Sequence, residues 1–204
     1  MTSYSTGKFL PFEVRRSFLP AGEIGELFDW VRANEAHFTP SRVDGGRLLP
    51  HVRQALSLRD LGPFAPVLTA RIGAIVPELV AALRVTPFAV SEIEFELAAH
   101  NEGAHFVLHS DLYTGTRSLR GDRMLSAVLY FHREPKAYSG GELRLHRLGA
   151  SPDEEEGVDI VPEHNLLACF PSWAPHEVMP VTCPSGLFGD SRFALNCWVY
   201  RAPQ

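Results

Sequence analysis

Nine histidines stand in this 204-residue chain, and the one set apart by its neighbours is His109 in His109-Ser110-Asp111. Residues two apart on an extended strand point to the same face, so this imidazole and this carboxylate can reach a single ion together. The triplet alone has little specificity in a His-rich chain, and a metal site needs a third ligand. His176, in Trp173-Ala174-Pro175-His176-Glu177-Val178, opens a strand-like run 67 residues later and is the best candidate. Two imidazoles and one carboxylate on one face of an ion, with the opposite face open, form the arrangement of non-haem Fe(II) oxygenases.

Arg192 completes a pattern. Two neutral imidazoles and one carboxylate leave Fe(II) with a net charge of about +1, and 2-oxoglutarate brings about −2, one carboxylate for the metal and one pointing away. The distant carboxylate needs a permanent cation, and the planar fork of arginine pairs with it through two parallel hydrogen bonds where lysine cannot. Arg192 begins the strand-like run that follows His176, so an adjacent antiparallel strand would set it deeper in the same barrel. An ordinary surface arginine at a strand start is the plainer alternative.

The elements that must carry these residues change character along the chain. Between Pro20 and Glu35, Ile24, Leu27, Phe28 and Val31 form one apolar stripe at helical spacing. From Phe64 to Leu83, Leu68, Ile72, Ile75, Leu79 and Leu83 step by three or four, and Pro77 is expected to kink or split that helix. After Pro87 the period falls to two, with Ile93, Phe95 and Leu97 alternating with glutamates. Strand-like runs follow at Met124–Phe131, Glu142–Leu145, Asp159–Val161, Leu166–Phe170, Glu177–Val181 and Phe193–Tyr200. Short strands in series behind two helices predict a mainly β sandwich or barrel with helices on one side, residues 1–87 being mostly helical support and 88–204 the β core of a single domain. The acidic run Asp153 to Glu156 reads as a solvated loop.

Composition narrows the partners. Nineteen Lys and Arg against twenty-four Asp and Glu give a net charge of −5, with no bulk attraction to nucleic acid or anionic lipid and no basic stripe interleaved with aromatics. No stretch is expected to approach the length and apolarity of a membrane span, and residues 1–10 lack a signal-peptide core. Cys169, Cys183 and Cys197 are odd in number without CxxC spacing, which predicts buried thiols and a cytoplasmic protein.

His109-x-Asp111, the strand Ser126-Ala127-Val128-Leu129-Tyr130-Phe131, the segment Ser139-Gly140-Gly141-Glu142-Leu143-Arg144-Leu145, Pro171 to Val181 with His176, and Arg192-Phe193-Ala194-Leu195-Asn196-Cys197-Trp198 occur in one order over about residues 90 to 201. In this the chain resembles the Fe(II)/2-oxoglutarate-dependent dioxygenases of the prolyl 4-hydroxylase-like group. The resemblance implies a double-stranded β-helix, a cupin-like jelly roll flanked by α-helices. It implies His109, Asp111 and His176 as iron ligands, Arg192 as the 2-oxoglutarate anchor, and Tyr130, Leu143 and Asn196 as further contacts of that cosubstrate. Where relatives carry a tyrosine, this chain has His100, a candidate hydrogen-bonding group for cosubstrate or substrate. The interval from His176 to Arg192 is long, and Thr182 to Ser191 is expected to form a Gly- and Pro-rich loop over the pocket.

The activity so implied is hydroxylation of an unactivated C–H on an amino-acid side chain, free or in a peptide or protein. It consumes O2 and 2-oxoglutarate, releases succinate and CO2, and is open to stimulation by ascorbate. Oxidative demethylation of nucleic acid and a non-catalytic, zinc-filled jelly roll are the alternatives, the first disfavoured by charge. Arg53, Arg117 and Arg120 are candidates to meet a substrate carboxylate, against the plainer reading of surface arginines.

Overall fold

The computed structural model describes residues 2–4, 10–43, 46–112, 121–149 and 156–203. Arg117, Arg120 and the acidic residues Asp153, Glu154 and Glu155 lie outside them. In chain order the elements are β1 (Thr2–Tyr4), β2 (Phe12–Arg16), α1 (Ala21–Ala33), β3 (Thr39–Pro40), β4 (Arg53–Gln54), β5 (Leu56–Leu58) and α2 (Phe64–Ala82). The remainder is β6 (Val90–His100), β7 (His105–His109), β8 (Asp122–Phe131), β9 (Ser139–Gly140), β10 (Leu143–Leu145), β11 (Val158–Ile160), β12 (Leu166–Pro171), β13 (His176–Val178), β14 (Val181–Thr182) and β15 (Arg192–Arg201).

A large sheet ordered β1-β2-β12-β8-β15-β6-β5-β3 faces a smaller one ordered β11-β10-β13-β7-β4, and every pairing among the described strands is antiparallel. This is the mainly β jelly roll that the strand pattern and the resemblance predict. Alternation along each strand assigns the two faces of the large sheet. Leu125, Ala127, Leu129, Phe193, Leu195 and Cys197 turn to one side, where they pack with Leu27 and Val31 of α1 and Leu68, Ile72 and Leu79 of α2. Val128, Tyr130, Ala168, Phe170 and Ala194 turn to the other and pack with Leu143, Leu145 and Ile160 of the small sheet. Because β8 and β15 are covered on both faces, they read in sequence as nearly unbroken apolar runs.

Several expectations are corrected here. Residues before 88 are not mostly helical support, since β1 to β5 precede α2 and β2 extends the large sheet beside β12. In β2 the charges that obscure the pattern pair locally: Arg15 Nε donates to the buried Glu13 carboxylate at 2.6 Å. Pro77 does not split α2, which runs unbroken over 19 residues. That helix is long and apolar enough to cross a membrane, contrary to expectation. In this fold its buried residues, Leu68, Ile72, Val76, Leu79 and Val80, lie against the sheet. The Thr182–Ser191 loop turns away from the space between the sheets. Its Phe188 packs on Phe38 and Phe193, with centroids 5.0 and 5.2 Å away, on the helix side of the large sheet.

Candidate metal and cosubstrate site

His109 ends β7 and His176 begins β13, and antiparallel register sets the two opposite each other. Asp111 follows β7, its backbone N–H donating to the Ser172 carbonyl at 2.9 Å. The donor atoms of His109, Asp111 and His176 all lie within 4.8 Å of one another. His109 Nε2 is 3.9 Å from Asp111 Oδ1, and His176 Nε2 is 3.8 Å from Asp111 Oδ2. Each imidazole is oriented by the backbone carbonyl two residues before it: Nδ1 of His109 meets the Val107 carbonyl and Nδ1 of His176 the Ala174 carbonyl, both at 2.8 Å. A carbonyl can only accept, so each Nδ1 carries the proton and each Nε2 lone pair is turned to the shared centre.

Electrostatics keep His109 and Asp111 in ligand form. Burial, then the neighbouring His176, lowers the His109 pKa to about 3, so this ring is neutral. For Asp111 burial pushes upward, but the attraction of His176 and His109 and the Ser126 hydrogen bond hold its pKa below the ordinary carboxylate value.

The structure adds a brace that sequence reasoning missed. Ser126 on β8 donates from Oγ to Asp111 Oδ2 at 2.6 Å, and the Ser172 hydroxyl lies 3.0 Å from Ser126 Oγ. Both serines are buried. Ser126 is a lone polar residue within the buried run Met124–Phe131 of β8, and a hydroxyl so placed must find a partner; that is the available signal. Replacing Ser126 with alanine is expected to weaken Co(II) or Fe(II) binding about tenfold in calorimetric titration, with threonine restoring most of it.

Behind the cluster the space between the sheets, about 500 Å3 including the part open to solvent, runs to Arg192, past Tyr130, Leu143, Asn196 and His100. Arg192 is not a surface residue. It is 1 % exposed, and among the described residues no carboxylate pairs with it. Its Cζ stands 4.7 Å from the Tyr130 ring centroid. Nη1 donates to His100 Nδ1 at 3.2 Å, which leaves the His100 proton on Nε2. Burial and the adjacent Arg192 hold the His100 pKa well below its usual value, so this ring is neutral as well. Two buried polar atoms here, Arg192 Nε and the Tyr130 hydroxyl, have no hydrogen-bond partner. A buried cation with a spare Nε–H beside a buried phenol with a spare hydroxyl forms the complement of a carboxylate. Asn196 sits opposite Val128 and Glu96 in the strand ladder, two residues along from the Ala194–Tyr130 pair. His109, Asp111, His176, Arg192, Tyr130, Leu143, Asn196 and His100 all line this one space, as does Arg53; Arg117 and Arg120 lie outside the described residues.

Gly141 allows Arg192 its place. At φ +73°, a Cβ there would lie 2.6 Å from Arg192 Cδ and 2.8 Å from Val181 Cγ2. Gly141→Ala is expected to lower unfolding stability by about 2 kcal/mol, from left-handed backbone strain and displacement of Arg192, as read from denaturant unfolding.

Comparison with known proteins bears on the family and the fold. The family model of the 2OG-Fe(II) oxygenase superfamily matches residues 95–200, more than half of the chain. An uncharacterized PKHD-type hydroxylase of Synechocystis sp. is 40% identical over 140 residues, which are 67% of this chain and 45% of that protein. The chain therefore spans less than half the length of that relative. A Pseudomonas putida prolyl-4-hydroxylase superposes with a TM-score of 0.68 at 24% identity, covering 93% of this chain and 92% of the other. A Trichoplax adhaerens prolyl hydroxylase, solved with a peptide fragment of the hypoxia inducible factor oxygen degradation domain, also gives 0.68, at 18% identity over 93% and 83% of the two chains. At these identities the two structures speak to the fold.

Proposed function

The chain belongs to the 2OG-Fe(II) oxygenase superfamily, and on that premise we propose that it is an Fe(II)- and 2-oxoglutarate-dependent dioxygenase that hydroxylates an unactivated C–H of an amino-acid side chain, free or within a peptide or protein, releasing succinate and CO2. His109, Asp111 and His176 are its iron ligands. Arg192, Tyr130, Leu143, Asn196 and His100 line the 2-oxoglutarate subsite, and residues 1–204 act as one catalytic domain. The observation that carries this reading is the pairing of two unlike halves in one cavity: neutral imidazole lone pairs with a carboxylate at one end, and a buried guanidinium lacking a carboxylate partner at the other.

Bound iron with 2-oxoglutarate and O2 supplies oxidative decarboxylation coupled to C–H hydroxylation; the residues supply geometry and a dry site. Asp111 would neutralise part of the metal charge, and the Ser126 hydroxyl helps to hold its carboxylate in place. The Arg192 fork takes the far cosubstrate carboxylate, and Tyr130 and the His100 Nε2–H are donors beside it. Leu143 and Val128 exclude water. Three free, buried cysteines are in keeping with a reducing, cytoplasmic compartment. The net charge of −5 gives nucleic acid no purchase. The test is a screen of amino acids and peptides for compounds that stimulate succinate formation from 2-oxoglutarate; a hit must also yield a product heavier by one oxygen.

A further inference from the structure

A second buried guanidinium, that of Arg53, lines the same cavity. Arg53 lies on β4 opposite Phe106 of β7, and its side chain is 8 % exposed, not the surface arginine that its isolated place in the sequence suggests. Its Cζ stands 5.1 Å from the Phe106 ring centroid, and that ring stacks on His109 at 3.5 Å. Cation, phenyl ring and imidazole thus form one column ending at the candidate metal ligands. A guanidinium has five N–H donors, of which Arg53 uses one, Nη2 to Glu96 Oε1 at 2.6 Å; its Nε is buried without a partner.

Glu96 does not depend on Arg53 alone. Arg59 donates to Glu96 Oε2 at 2.8 Å and to Glu94 Oε1 at 2.7 Å, and Arg123 reaches Glu94 Oε2 at 2.9 Å. Among the described residues this run links Arg53, Arg59 and Arg123 through Glu94 and Glu96, and Arg53 is its end on the cavity; neither Glu94 nor Glu96 lines that space. A buried guanidinium with idle donors is costly unless a further acceptor reaches it. Arg192 at the other end already accounts for the far carboxylate of the cosubstrate, so the acceptor for Arg53 has to come with the other ligand.

We propose that Arg53 anchors a carboxylate of the hydroxylated substrate, and so that this enzyme selects acidic substrates. The carboxylate comes either from the α-carboxyl of a free amino acid or from an Asp or Glu side chain in a peptide. This rests on the hydroxylase reading and adds the substrate class to it. Were Arg53 only a tie between β4 and β6, it would not distinguish an acid from its amide.

The test compares acids with matched amides. Succinate formation above the substrate-free rate is measured with the twenty L-amino acids and their carboxamides, and with N-acetylated, C-amidated tripeptides carrying central Asp or Glu beside their Asn or Gln counterparts. Calorimetry with the same compounds, on protein loaded with Mn(II) and 2-oxoglutarate under nitrogen, reports affinity without turnover. At least one acid is expected to bind and stimulate tenfold or more better than its amide, and the responding arm identifies the source of the carboxylate. Arg53→Gln and Arg53→Lys are each expected to raise the half-saturating concentration of that acid tenfold or more, with half-saturation by 2-oxoglutarate held within twofold. Arg59 still covers Glu96 in both variants, and equal melting temperatures would verify the fold. Amides as effective as acids, acid affinity that survives Arg53→Gln, or no response to any compound by a protein that does turn over 2-oxoglutarate would each overturn the proposal and leave the hydroxylase reading standing. Absence of succinate under every condition would overturn the hydroxylase reading, and this proposal with it.

Discussion

His176→Ala is expected to give a folded protein that forms no measurable succinate, a loss of about 4 kcal/mol or more in transition-state stabilisation, roughly a thousandfold in rate. A facial set of three ligands cannot lose one without loosening the ion and opening a position to water. His109→Ala and Asp111→Ala should behave alike. The fold should survive, because the largest apolar cluster lies across the sheet, between β8, β15 and the two helices. Removing the His176 ring leaves a gap beside Phe170, 4.7 Å away between centroids, at a cost of about 1–3 kcal/mol. His164→Ala is the control: its Nδ1 meets the His132 carbonyl at 2.8 Å, outside the cluster. Wild-type turnover by His176→Ala, with loss of turnover by His164→Ala, would remove His176 from the metal site.

Arg192 has the second largest expected effect, and its sign depends on the ligand. With 2-oxoglutarate as the probe, Arg192→Ala is expected to weaken cosubstrate binding by roughly 2–4 kcal/mol, because one charged partner of a buried pair is lost. Arg192→Lys keeps the charge without the fork and should lie between. Tyr130→Phe should cost about 0.5–1.5 kcal/mol, as for one hydrogen bond. Without ligand the order reverses. The wild-type protein holds an internal cation with no carboxylate partner among the described residues, so Arg192→Met should melt at or above the wild-type temperature. An unchanged KM for 2-oxoglutarate in Arg192→Ala and Arg192→Lys would show that another cation serves the cosubstrate.

What was legible in the sequence follows from the range of the interactions involved. α1 declares itself because Ile24, Leu27 and Val31 bury one stripe against polar neighbours. β6 does so because glutamates alternate with Ile93, Phe95 and Leu97. His109 and Asp111 are close in sequence, and His176 and Arg192 open strands recognisable by composition. β2 was lost because Glu13, Arg15 and Arg16 interrupt its apolar pattern, although strand pairing with β12 buries Phe12, Glu13 and Val14. The Ser126 brace depends on register: Ser126 sits opposite both Phe170 and Trp198, and only that ladder brings it to Asp111. The burial of Arg53 is hidden for the same reason, since it comes from a two-residue edge strand laid against Phe106 and from Glu96, 43 residues away.

The most direct measurement adds Fe(II) and 2-oxoglutarate to the protein under nitrogen and then admits O2. A weak visible metal-to-ligand charge-transfer band should form anaerobically and be absent in His109→Ala. On admission of O2, succinate should appear in equal amount with CO2. A protein that gives neither band nor succinate with freshly reduced iron, and that instead holds Zn(II) through His109, Asp111 and His176, would contradict the account and leave a metal-binding jelly roll without oxygenase chemistry.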